Sequence, residues 1–174
     1  MKRVDLLARG LSLMASTSPD IEFHWTHIGV GPLAGELKSL VNNLPGIVGR
    51  CTITGYLTEP EWRQQFTGRP VDLFVNVSSS EGLPVSLMEA ASFGIPMMAT
   101  CVGGIPEIVN DANGVLLEAS PSPESIAAAL KAFARLTAEE RGAKRVASRA
   151  TFECNFDAEV NYSRFFALLE AITA

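Results

Sequence analysis

Strands that alternate with amphipathic helices predict an α/β fold: a Rossmann-like, doubly wound parallel sheet with helices on both faces. Three observations carry this prediction. Residues 71–77 (VDLFVNV) form an almost continuous apolar run, as in a strand covered on both faces. Short β-rich runs recur at 21–28, 48–54, 96–101 and 115–117. Between them lie stretches with helical spacing, each entered through a Gly-, Ser- or Pro-containing turn.

In chain order, Val4, Leu7, Leu11 and Met14 recur at helical intervals, so 3–16 reads as a helix that Ser18-Pro19-Asp20 ends. Residues 21–28 alternate as a strand. Gly29-Val30-Gly31-Pro32 turns into a helix reaching Asn43, with Pro32 suited to its first position. Strand 48–54 stops at Gly55, and a helix follows over 59–66. After strand 71–77 come a helix over 83–93, the strand 96–101 and a short helix over 106–109. Asn113-Gly114 turns into strand 115–117. From Pro123 the chain is helical, with breaks expected near Leu136 and Thr151 and a last helix over 157–172. Neither an internal repeat nor a linker interrupts this order, so 1–174 is expected to be one domain.

The totals narrow the function. Hydrophobic residues at 47% supply a core, and a net charge of −5 with no basic stripe argues against nucleic-acid binding. The densest basic run, 141–149, reads as a solvated helix face. Cys51, Cys101 and Cys154 are far apart and odd in number, which argues against a disulfide framework or a zinc knuckle and for a reducing cytoplasm. The sequence holds neither a signal peptide nor an apolar run long enough to span a bilayer.

Two carboxylates stand out in the stretch SSSEGLPVSLMEAASFG: Glu81 on a strand-to-helix loop and Glu89 inside an apolar helix. Ligands of open α/β sheets bind beyond the carboxyl ends of the strands. Here Ser78, Ser79, Ser80, Glu81 and Gly82 occupy that edge, and Pro84 marks the helix start. The amides of Leu83, Val85 and Ser86 precede any intrahelical acceptor and are natural anion donors. The bland alternative is a helix cap in which Glu81 complements the helix dipole. Glu89 lies past the first turn, where such help has faded; it is either a partly exposed helix carboxylate or an acceptor for sugar or ribose hydroxyls. Eight helical residues span about 12 Å, longer than the roughly 5 to 9.5 Å between paired glycosidase carboxylates. Two contacts on one elongated ligand fit better.

Other candidates are weaker. Gly29, Gly31 and Ala34 satisfy G-x-G-x-x-A after a strand, but no acid ends the next strand near Gly55, which undercuts a nicotinamide site. A glycine turn approaching a nucleotide and a plain tight turn both remain. His24 and His27, the only histidines, share one strand and suit sheet-face roles. No G-x-S-x-G elbow is present, against a serine hydrolase. Gly103-Gly104 permits close backbone approach at the same sheet edge, or simply turns strand into helix.

Together, GVGPL (29–33), ITGYL (53–57), the stretch 71–109 and NGVLLE (113–118) resemble the donor-binding domain of family-4, "group 1" retaining glycosyltransferases of the GT-B fold. Glu81 and Glu89 fall on that family's E-x7-E motif, and the similarity runs from about Lys2 to the C-terminus. The resemblance implies that Glu89 binds ribose hydroxyls of a UDP- or GDP-sugar and that Glu81, the catalytic candidate, faces the transferred sugar near its 3-hydroxyl. Gly82, Leu83, Pro84, Val85 and Ser86 would line the diphosphate and sugar, with Lys2 reaching the diphosphate. Gly55, Tyr56 and Leu57 match the loop at the base, and Gly29 and Gly31 the glycine turn beside it. No metal and no cofactor are implied.

The same resemblance implies the C-terminal half of a GT-B enzyme, starting after the family's first donor-domain strand and lacking the N-terminal acceptor domain. Strands 21–28 and 71–77 would then lose a shared neighbour, leaving a cleft, a direct pairing or a strand from a partner, and unpaired edges would favour self-association. Cys101 stands where the family often has a polar residue, and Val30 where it has a small or acidic one. The expected function is hexosyl transfer from a nucleotide-sugar to a saccharide or lipid-linked acceptor in surface polysaccharide assembly. It would take place in the cytoplasm, at the inner face of the membrane in the parent, with the isolated chain inactive. The rivals are a GT-B nucleotide-sugar epimerase and a non-catalytic binding or assembly module.

Overall fold

The structure, a computed structural model, describes residues 2–173. The first half runs α1 (Val4–Thr17), β1 (Trp25–Ile28), α2 (Ala34–Asn43), β2 (Cys51–Gly55), α3 (Glu59–Thr67) and β3 (Phe74–Asn76). It continues through α4 (Val85–Ser92), β4 (Met97–Thr100), α5 (Ile105–Ile108), β5 (Gly114–Leu117), α6 (Pro123–Ala134), α7 (Ala138–Asn155) and α8 (Ala158–Thr173). Every strand pair is parallel, as alternation with helices requires.

The strands form two sheets, β1-β2 and β3-β4-β5. Direct pairing of the first and third strands, one of the outcomes expected, is therefore not what forms. The two sheets nevertheless share a core. Trp25, Cys51 and Ile53 pack in one cluster with Leu73, Val75, Met98 and Val115, under α1, α2 and α6. Phe74, Met97, Ala99 and Leu116 point the other way, into a second cluster with Leu87, Ala90 and Ala91 of α4, Ile105 and Ile108 of α5, and Phe152 of α7. Alternate residues of β3 and β4 thus face opposite clusters, so the apolar run at 71–77 is covered on both faces as its composition requires. Each fully buried Leu or Ile here contributes about 1.5–3 kcal/mol.

Helix α1 lies close on α6 because residue 10 is glycine: a Cβ there would stand 2.6 Å from Ile126 Cγ2. Arg3, the N-cap of α1, has left-handed backbone (φ 44, ψ 43), a conformation costing a non-glycine residue about 1–3 kcal/mol. Its guanidinium offsets this by donating to the carbonyls of Val77 at 2.8 Å, Ser78 at 3.1 Å and Ala119 at 3.0 Å. The start of α1 is thereby tied to the loops that leave β3 and β5.

Several expected boundaries move. Residues 21–24 precede β1, although Ile21 and Phe23 still pack on the core. β3 is shorter than 71–77, and the Val71 carbonyl accepts from Arg145 instead of a strand. Pro32 lies in a turn ahead of α2, whose N-cap is Leu33. α7 runs through Thr151 without a break, because Thr151 sits on the inner face: its hydroxyl donates to Ala147 O at 2.9 Å and accepts from Asn113 Nδ2 at 3.0 Å.

The basic run of α7 also differs from a solvated face. Lys144 donates to the carbonyls of Asp111 at 2.6 Å and Gly114 at 3.1 Å, Arg145 to Val71 and Arg149 to Ser92. These charges staple the helix over carbonyls next to β3, α4 and β5. Their local spacing is that of a surface helix; only the tertiary fold brings unpaired carbonyls beneath them.

Candidate active site

The carboxyl ends of the parallel strands lead into loops 29–33, 56–58, 77–84, 101–104 and 118–122, where the sequence places its candidates. The first two loops meet directly: Gly29 N–H donates to Gly55 O at 2.8 Å, an antiparallel bridge that brings Gly29 and Gly31 beside Gly55, Tyr56 and Leu57. Tyr56 is 74% exposed, so its ring presents a surface rather than filling the core. Leu57 is half-buried, and Thr58 then caps α3 in a reciprocal box with Glu61.

Loop 77–84 carries Glu81. Its Oε1 accepts from Lys2 Nζ at 2.6 Å, Ser78 Oγ at 2.6 Å and Asn76 Nδ2 at 3.3 Å. Burial pushes this carboxyl up, but donation from Lys2, Ser78 and Asn76, with the charge of Lys2, more than reverses that and leaves it below its ordinary value. Glu81 is therefore ionised and held. It does not cap α4: the N-cap is Pro84, and no side chain closes that end of the helix. The cap reading of Glu81 is thus replaced by an ion pair with α1's leading residues. Lys2 itself is 65% exposed at its side chain against 14% for Glu81.

The loop is pinned from the other side by the double glycine after β4. Gly104 N–H donates to Gly82 O at 2.7 Å. Gly103 has φ +53, and a Cβ on it would stand 1.8 Å from the carbonyl oxygen of Glu81. Only glycine fits at that position. Beyond it, Leu83 and Val85 are exposed, Ser86 is half-buried and Pro84 is buried, so the first turn of α4 faces outward.

Glu89 has a different environment. It is half-buried between Met88 and the fully buried Ala90, and among the described residues no donor reaches its carboxylate. Burial raises its pKa; the positive charge of Arg63 opposes this, and the negative charge of Glu59 adds to it. Both charges sit on α3, which directly follows the loop of Gly55, Tyr56 and Leu57. A carboxylate kept in a desolvated position without a donor is a poor structural element and a good acceptor for an incoming hydroxyl.

The histidines stay out of this arrangement. His24 Nε2 contacts Thr52 Oγ1 at 2.8 Å, and the His27 ring lies tilted beside that of Trp25, with burial lowering its pKa. Sequence reasoning missed Arg3, Asn76 and Arg63. Asn76 had a signal: a lone amide in a buried apolar strand needs partners. Arg3 and Arg63 had none, because their roles depend on which loops the fold brings to them. Among the described residues, no group of three His, Cys, Asp or Glu side chains is placed to hold a metal ion, and no helix is long and apolar enough to cross a membrane.

Comparison with known proteins agrees with this architecture. Residues 1–135 match the family model described as "Glycosyl transferases group 1". The amylovoran biosynthesis glycosyltransferase AmsK of Erwinia amylovora is 30% identical over 159 residues, 86% of this chain and 37% of AmsK. The O-antigen biosynthesis glycosyltransferase WbnH of Escherichia coli is 47% identical over 117 residues, 67% of this chain and 30% of WbnH. The chain thus spans 37% of AmsK and 30% of WbnH, well short of either relative's full length. The crystal structure of Anabaena Alr3699/HepE in complex with UDP-glucose has the same fold, with a TM-score of 0.78 at 19% identity over 98% of this chain and 45% of that one. With a family model covering more than half of its residues, and parallel strands and helices in the order of GT-B structures, the chain belongs to the group 1 glycosyltransferases.

Proposed function

We propose that this chain forms the nucleotide-sugar site of a retaining hexosyltransferase, completed by an acceptor domain. The observation that carries the reading is Glu89: half-buried, raised in pKa and, among the described residues, with no donor on its carboxylate, in the field of Arg63 and Glu59 on the helix that follows the bridged loops of Gly29 and Gly55. Two vicinal ribose hydroxyls would supply the donors it lacks. Tyr56 and Leu57 would then flank the base, and Gly29 and Gly31 would let the backbone approach the nucleotide.

The diphosphate would lie over Gly82, Leu83, Pro84, Val85 and Ser86 at the uncapped start of α4, where the backbone N–H groups of all but Pro84 could donate to it. Lys2, mostly exposed, can exchange Glu81 for a phosphate oxygen and neutralise the charge that grows as the diphosphate departs. Glu81, ionised and fixed, would accept from the sugar near its 3-hydroxyl and orient the anomeric carbon. These groups, without metal or cofactor, provide the positioning and electrostatics that such a transfer needs.

HepE, of the same fold, is described in complex with UDP-glucose, which supports a UDP-sugar donor; GDP-sugars are the other candidates. Relatives named for amylovoran and O-antigen biosynthesis support a surface-polysaccharide acceptor, either saccharide or lipid-linked, handled on the cytoplasmic face of the membrane. The test is to incubate the chain with UDP-glucose or GDP-mannose and follow the sugar by NMR. The expected result is a bound donor with no new sugar product in the absence of acceptor. Epimerised sugar from donor alone would replace the transferase reading with an epimerase.

A further inference from the structure

Among the described residues, three hydrogen bonds reach the Glu81 carboxylate, and all fall on one oxygen, Oε1. Two of the donors are buried: Asn76, the last residue of β3, and Ser78, two residues past it. Asn76 is 7% exposed and Ser78 is fully buried. Asn76 uses both ends of its amide: Oδ1 accepts from Ser78 N–H at 2.9 Å while Nδ2 reaches Glu81 at 3.3 Å. This arrangement fixes which way the amide points. The Ser78 carbonyl in turn accepts from Thr100 Oγ1 at 2.6 Å and Arg3 Nη2 at 3.1 Å. Thr100 is fully buried as well. The serine hydroxyl that donates to Glu81 therefore starts from a backbone held at both its N–H and its C=O.

A buried amide in a strand with apolar neighbours is unfavourable unless both its ends are bonded. Here one end is spent on the loop backbone and the other on a carboxylate. We propose that Asn76 and Ser78 are positioning residues for Glu81: with Lys2 they fill Oε1 and leave Oε2 as the oxygen that meets the donor's sugar hydroxyl. The positioning of Glu81 stands on this geometry alone; the role of Oε2 rests on the proposed donor binding. The division of labour follows from exposure. Lys2 is exposed enough to move to a phosphate, whereas Asn76 and Ser78 cannot move and keep the carboxylate oriented when Lys2 leaves.

Among the described residues, the charged groups around the loop include Lys2, Arg3 on the Ser78 carbonyl, and Glu107 of α5, whose Oε1 would lie 3.5 Å from a Cβ on Gly104. Carbon-13 NMR titration of the Glu81 side-chain carboxyl in the whole chain reads the positioning directly, with UDP-glucose and UDP affinities measured alongside. Ser78→Ala and Asn76→Leu are expected to raise the Glu81 midpoint, and Ser78→Thr, which keeps the hydroxyl, to leave it near wild type. UDP-glucose affinity should fall about tenfold in the first two, the worth of one hydrogen bond to a charged group, with UDP affinity unchanged. Ser78→Cys keeps the volume and weakens the donor, so it gives an intermediate midpoint and serves where alanine does not fold. An unmoved midpoint in folded Ser78 and Asn76 variants overturns the proposal. A moved midpoint in a protein that binds neither UDP-glucose nor UDP leaves the positioning intact and defeats the donor reading.

Discussion

Glu81 and Glu89 are the same residue type in opposite electrostatic settings, and this has a measurable consequence in the free protein. Glu81 has a lowered pKa, so its contribution to stability is present above the unfolded value and is lost as pH falls through the folded one. Glu89 has a raised pKa, so its ionised form opposes folding, and that cost appears as pH rises from the unfolded value through the folded one. Urea unfolding should therefore separate the two glutamine variants. Glu81→Gln is expected to destabilise by about 1–2 kcal/mol at pH 7, discounted for the exposure of Lys2, with the loss shrinking toward pH 3. Glu89→Gln is expected to be slightly stabilising at pH 7 and neutral at pH 3 while removing donor binding. A Glu89→Gln variant that loses stability at pH 7 would mean that its carboxylate has a structural partner.

At the scale of elements, the loops hold the site through backbone contacts, and the double glycine after β4 is the tightest of these. Gly103→Ala introduces a Cβ into the Glu81 carbonyl at a left-handed φ, for which we expect a loss of about 2–4 kcal/mol and a displaced Glu81 loop. Gly142→Ala in α7 meets nothing within 4 Å and should gain about 0.5–1 kcal/mol. Thermal unfolding of the pair checks both signs. Element order and strand faces were legible in the sequence because periodicity reports which residues face a core. The end of α7 was not, since Thr151 reads as a break locally and is retained by a bond to Asn113, distant in sequence. Similarly, the two glutamates were legible from their motif, whereas Asn76, Arg3 and Arg63 become site residues only through contacts between distant segments. The α7 arginines repeat the lesson: their sequence spacing reports a helix face, and only the fold shows the carbonyls they cover.

At the scale of the whole molecule, two parallel sheets share one core and bring their carboxyl-end loops, with Glu81 among them, to the surface proposed to hold a nucleotide-sugar. The chain spans 37% of AmsK, so acceptor recognition belongs to the proposal for the longer protein. Donor binding, as proposed, draws on groups that this chain contains. The most direct measurement of that claim is calorimetric titration of the chain with UDP and GDP, on wild type and Glu89→Ala. Binding of one nucleotide by the wild type, abolished in a folded Glu89→Ala variant, is the predicted result. Failure of the wild type to bind either, or equal affinity in the variant, would contradict the account.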